Sequence, residues 1–142
     1  MRLAIDASTI VKELLRPRGR ALVGHPDLEP WTAVEMESEA RHELVRRAAR
    51  IVAAGHWTRA EADDVLAAAV AGLDQVNVAP PELYAPFLEI ARRRIPRDPD
   101  DAPTVALALA LECGIWTADH DFFGWGLAVW SSEVLVGEVA AA

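Results

Sequence analysis

The chain alternates short strand-like apolar runs with longer helical ones, a pattern that predicts a parallel sheet covered by helices. "RLAID" is a first strand and "ASTIVKELL" the helix after it. Pro17 and Gly19 in "RPRGR" break that helix, and the stretch to Pro30 is a loop or a short helix. A long helix is predicted from Trp31 to about Ala54, opened by the capping box "TAVE". There the Thr32 hydroxyl accepts from the amide of Glu35, and the Glu35 carboxylate accepts from the amide of Thr32. "TRAE", Thr58 to Glu61, is a second such box, opening a helix that ends near Gly72. "QVNVA" is a strand, "PPELYAPFLEIARRRI" a helix started by prolines, and "PRDPDD" a loop.

The helix that follows starts close to Asp101, because Pro103 is tolerated only in a first turn. From Val105 to Leu111 it is apolar on every face, the mark of a helix buried all round, and Gly114 is expected to end it. "GIWTAD" is then a strand, "HDFFGWG" a loop, "LAVWS" a last strand and "SEVLVGEV" a closing helix. There is no internal repeat and no low-complexity linker, and a length of 142 residues predicts a single domain over 1–142.

Composition narrows the chemistry. With 52% hydrophobic residues the chain is able to bury a substantial core. One cysteine, Cys113, excludes an internal disulfide, and with four scattered histidines it makes no Cys/His zinc cluster. Asp6 stands where a signal peptide needs apolar residues, and no apolar run reaches membrane-span length, so a soluble, cytoplasmic protein is expected. The net charge of −8, from 22 acidic against 14 basic residues, argues against holding nucleic acid by overall electrostatics. A phosphate ligand would need a local device.

The acidic positions supply one. Asp6 and Asp119 fall at the carboxyl ends of predicted strands, outside which open parallel sheets bind ligands; the bland alternative is that each caps a turn. Asp101 opens the buried helix, where it is an N-cap that can still face a metal. Asp98 and Asp100 in the same loop read as solvated turn residues. Glu39 emerges by elimination along the long helix. Glu35 belongs to the capping box, and Glu37 and Glu43 have Arg41 and Arg47 four residues on, whereas Glu39 has only Glu43 at that spacing. Asp121 is a further ligand, an outer acceptor or a turn residue, and His120 beside it points away. Phe122, Phe123 and Trp125 are core cover or a stacking surface for bases, and core cover is the commoner outcome. The arginines at 16, 18, 20, 46, 47, 50, 92, 93 and 94 are solvated faces singly, and as a set a frame for an acidic pocket.

Four carboxylates brought together raise one another's pKa and are tolerable when a cation neutralises them. Oxygen-only ligation selects a hard ion, Mg²⁺ or Mn²⁺, which activates a bound water and clamps phosphodiester charge.

These residues, in this order, resemble the PIN-domain nucleases, the family that includes the VapC toxins of toxin–antitoxin pairs. "LAIDASTIVKELL" is similar to its opening strand and helix, with Asp6 as the first metal-binding acid. "SEARHELVRR" is similar to a second motif and selects Glu39, with His42 where the family often has Asn. "DDAPTVALALALECG" resembles the third and selects Asp101; "IWTADHDFFGWGLAVW" resembles the fourth, carrying Asp119 and Asp121. The resemblance covers nearly the whole chain. It implies a three-layer α/β/α sandwich about a parallel sheet and a Mg²⁺- or Mn²⁺-dependent endoribonuclease acting on single-stranded RNA or structured RNA loops. It also implies homodimers and, for toxins, a protein antitoxin that enters the acidic site; some members process RNA with no antitoxin.

Two alternatives stand beside it. A phosphotransfer enzyme of the haloacid-dehalogenase or receiver type would use Asp6 as nucleophile or phospho-acceptor. Both need a lysine late in the chain, whereas the only lysine is Lys12, and Ser8 replaces the second acid of an Asp-x-Asp pair. A binding module without catalysis would have no need to hold four acids together.

Overall fold

The computed structural model describes residues 1–124 and 126–141. Five parallel strands form one sheet: β1 (Arg2–Ile5), β2 (Glu29–Ala33), β3 (Asn77–Ala79), β4 (Gly114–Trp116) and β5 (Val129–Trp130), in the order β3-β2-β1-β4-β5. Helices flank it, giving the three-layer α/β/α sandwich expected. In β1, Leu3, Ala4 and Ile5 are all fully buried, as a strand covered on both faces requires. It pairs with β4 in the register Leu3 to Gly114, Ala4 to Ile115 and Ile5 to Trp116.

One set of helices, α1 (Ala7–Leu14), α2 (Pro17–Val23), α3 (Val34–Ala53) and α4 (Arg59–Leu73), packs together, with α1 touching the other three. Gly19 lets α2 double back on α1: a Cβ there would stand 2.1 Å from the carbonyl oxygen of Glu13. The capping box at α4 is formed as expected, Thr58 Oγ1 accepting from the amide of Glu61 at 3.1 Å and Glu61 Oε2 from the amide of Thr58 at 3.2 Å.

The other set is α5 (Pro81–Tyr84), α6 (Leu88–Arg94) and α7 (Ala102–Leu111). The helix expected over "PPELYAPFLEIARRRI" is divided at Pro86 by a 3₁₀ turn, Ala85–Phe87, because proline lacks the amide that would continue the ladder. Pro103 does sit in the first turn of α7, which lies against β1, β2 and β4. Its residues from Val105 to Ala108 are fully buried; the last turn is half-exposed. The chain closes with α8 (Ser132–Ala141).

Two further expectations are overturned. Trp31 and Thr32 do not open α3: they lie in β2, where Thr32 pairs with Val78 of β3 and its hydroxyl donates to the carbonyl of Ile5 at 3.0 Å. The helix begins at Val34 without a side-chain cap, and Glu35 accepts instead from the hydroxyl of Tyr84. Nor does Gly114 end α7. Glu112 takes the left-handed conformation there, with φ of 51°, and Gly114 already belongs to β4.

Candidate active site

The sheet order changes direction between β1 and β4: the chain runs outward from β1 to β2 and β3, then returns to the other side of β1 for β4 and β5. In an open parallel sheet the carboxyl ends of two such strands leave a crevice, since their connections depart to opposite sides. Asp6 follows β1 and Asp119 closely follows β4, so both acids meet at that crevice.

Asp6 is almost wholly buried and rigidly held. Its Oδ1 accepts from the amide of Thr9 at 3.0 Å, capping α1; its Oδ2 accepts from the Thr117 hydroxyl at 2.8 Å and, more weakly, from Ser8 at 3.5 Å. Burial pushes its carboxyl above the ordinary value and the Asp119 charge adds to this, while the hydrogen bonds from Thr9 and Thr117 pull the other way. Thr117 is a residue the sequence reading missed. Fully buried at the end of "IWT", it also accepts from the amide of Asp119 at 3.0 Å, so one hydroxyl fixes both acids. The only sequence signal was a β-branched hydroxyl residue two places before Asp119.

A cleft of about 240 Å³ is lined by Asp6, Ser8, Glu39, Asp98, Asp101 and Asp119, together with Ala7, Met36 and Asp100. All four acids singled out as principal ligands therefore face one space, three from strand-end or helix-start positions and Glu39 from the exposed face of α3. Asp98 is a turn residue as expected, accepting from the amide of Asp100 at 3.1 Å, yet both it and Asp100 line the cleft as well. Among the described residues no basic side chain lines it. The cap residues of α1 and α7 both do, so the positive ends of two helix dipoles open toward this space.

Asp101 does not cap α7 through its side chain. Its Oδ2 is buried and has no hydrogen-bond partner among the described residues, and the same holds for the hydroxyl of Thr104 one turn on. Burial first, and then the charges of Asp98, Asp6, Asp119 and Asp121, push the Asp101 carboxyl up to about 7. A buried acceptor left unpaired among other acids is what a hard cation would satisfy, and the donor set, all oxygen, is of the right chemistry. As the side chains stand, no three of them among the described residues surround a single point as ligands.

Asp121 is exposed and lines an adjoining hollow with Ile95, Arg97, His120 and Phe123; its amide donates to Asp119 Oδ1 at 2.9 Å. His120 faces that hollow and away from the acidic cleft, as anticipated. The aromatic cluster divides: Phe122 is core and Phe123 is exposed, while Trp125 lies outside the described residues. Of the nine arginines expected to frame the pocket, Arg46, Arg47 and Arg50 pair with Glu43 and Arg93 pairs with Glu89, and none of the nine is among the described residues that line the cleft.

A doubly flanked parallel sheet with an acid-lined cleft at its switch point is the architecture of a PIN-like α/β/α protein. The sequence matches the PIN domain family model over residues 4–139, and the chain belongs to that family, whose members are generally nucleases that use divalent metals. The crystal structure of PAE2754 from Pyrobaculum aerophilum is similar in fold, with a TM-score of 0.72 over 100% of this chain and 97% of that one, at 16% sequence identity. No curated protein matches the chain. Among the described residues no helix is long and apolar enough to cross a membrane.

Proposed function

We propose that this protein is a Mg²⁺- or Mn²⁺-dependent endoribonuclease, with Asp6, Glu39, Asp101 and Asp119 holding the ion and Asp121 assisting from the adjoining loop. The observation that carries this reading is the buried Asp101 oxygen, without a hydrogen-bond partner among the described residues, in a cleft walled by carboxylates where no described basic side chain stands. When bound, the ion supplies charge neutralisation for the phosphodiester and acidifies an attacking water. The chain's own residues do the positioning: Thr117 orients Asp6 and the Asp119 backbone, and the starts of α1 and α7 present positive dipole ends to a phosphate.

The sequence motifs support the finer reading of a VapC-like toxin that acts on single-stranded RNA or structured RNA loops and is silenced by an antitoxin. An apolar groove of about 430 Å³ between α3 and α4, lined in part by Val45, Ala49, Val52 and Leu66, supports homodimerisation. The direct test is cleavage of a labelled single-stranded RNA with Mn²⁺ and with EDTA, beside Asp6→Asn and Asp119→Asn variants. Metal-dependent cutting lost in both variants upholds the reading; no cutting together with no metal response overturns it. Growth arrest on expression, absent for Asp6→Asn, tests the toxin role.

A further inference from the structure

The hollow beside the acidic cleft has a chemistry of its own. It measures about 210 Å³ and is lined by Ile95, Arg97, His120, Asp121 and Phe123. Among the described large hydrophobic side chains left exposed, Phe123 is the single aromatic, at 53% exposure. The His120 ring stacks on it with centroids 5.4 Å apart and planes 30° from parallel, which holds the phenyl ring in the surface. Arg97, at the opposite loop, makes no hydrogen bond or ion pair among the described residues, whereas Arg41, Arg46, Arg47, Arg50 and Arg93 are all tied to carboxylates. In a chain of net charge −8, that leaves a guanidinium beside an aromatic face.

The position matters as much as the composition. Arg97 is next in sequence to Asp98, and His120 next to Asp119; in each pair one residue lines the hollow and the other the acidic cleft. The two spaces thus share both loop walls. The hollow therefore adjoins the acids along both loops.

We infer that this hollow is a nucleotide subsite for single-stranded RNA, in which one base stacks on Phe123 and its phosphate pairs with Arg97. The inference rests on the nuclease reading and deepens it. Stacking on a phenyl face tolerates any base, so the subsite supplies affinity and register along the strand, not sequence choice. Arg97 supplies the local cation that the chain as a whole lacks.

The experiment is fluorescence-anisotropy binding of a short labelled oligoribonucleotide in an Asp119→Asn background, where cutting is stopped, with wild-type cleavage run alongside. Adding Phe123→Ala is expected to weaken binding about five- to 150-fold, and Phe123→Tyr to stay within about twofold of the parent. Abasic substitution along the oligonucleotide should weaken the parent at one position and leave the Phe123→Ala variant indifferent there. Arg97→Ala should lower the salt dependence by about one counterion. Unchanged binding by Phe123→Ala, while wild type still cuts RNA with Mn²⁺, overturns the subsite and leaves the nuclease standing. A wild type that neither cuts nor binds RNA overturns the nuclease reading and the subsite with it.

Discussion

The hydroxyl of Thr117 donates to Asp6 Oδ2 at 2.8 Å and accepts from the amide of Asp119 at 3.0 Å, joining two acids that follow different strands. Replacing it with Val keeps the shape and removes both bonds. Thr117→Val should then lose about 1–3 kcal/mol of stability, because the buried Asp6 Oδ2 keeps only the long bond from Ser8, and should lose RNA cleavage even where folded. Thr117→Ser should retain most of both. Urea unfolding and cleavage rates on the same preparations check this.

Metal binding should appear as thermal stabilisation. For a ligand that binds only the folded state, a hundredfold excess over Kd adds about 2.7 kcal/mol. Mn²⁺ should raise the melting temperature of the wild type, EDTA should reverse the rise, and Asp6→Asn should abolish the response. A wild type indifferent to both would remove the cation from the site.

Glu39 offers a separation of function from stability. It is exposed on α3 and makes no hydrogen bond or ion pair among the described residues, so Glu39→Gln should change stability by less than about 0.5 kcal/mol. The same substitution removes a charge from the cleft wall and should lower cleavage by at least about a hundredfold, judged against the 10–100-fold losses seen for outer partners of metal ligands. Equal activity of the variant would take Glu39 out of the ligand set.

The pH dependence of the metal-free protein follows from Asp101. Its carboxyl is raised from an ordinary 3.8 to about 7, so the folded chain holds a proton that the unfolded chain releases. The contribution to stability is therefore fully present below about 4 and is lost as pH rises through about 7. Asp6, shifted in the same direction, adds to the slope. In EDTA, Asp101→Asn should match the wild type near pH 4 and melt higher than it at pH 8. Melting curves across that range decide it, and a wild type that gains stability over the interval would contradict the assignment.

The strand ends were legible in sequence because an apolar run closed by an acid marks both the strand and the residue beyond its carboxyl end; Asp6 and Asp119 are of this kind. Asp101 was legible through Pro103, which fixes the start of a buried helix. Glu39 was singled out by an elimination in which one premise failed, since Glu35 is occupied by Tyr84 and not by a capping box; the structure places it on the cleft wall. β2 was hidden because Pro30 reads as a breaker and Thr32 and Glu35 imitate a helix start. Only the neighbouring strands reveal otherwise, with the Pro30 carbonyl accepting from the Asn77 side chain at 3.2 Å. Thr117 was out of reach for the same reason: its role exists only once β4 lies beside β1. The adjoining hollow was missed because Arg97 was not among the nine arginines singled out and has meaning only opposite Phe123.

The bond between Asp6 and Thr117 spans 111 positions of chain. A polypeptide emerging from the ribosome presents Asp6 long before its partner, which follows α7 and β4. Until then the first acid has no companion from the far side of the sheet, and the cleft does not exist. Any chemistry housed there is withheld from the nascent chain by topology alone, until Thr117 and Asp119 have been made and have joined the sheet.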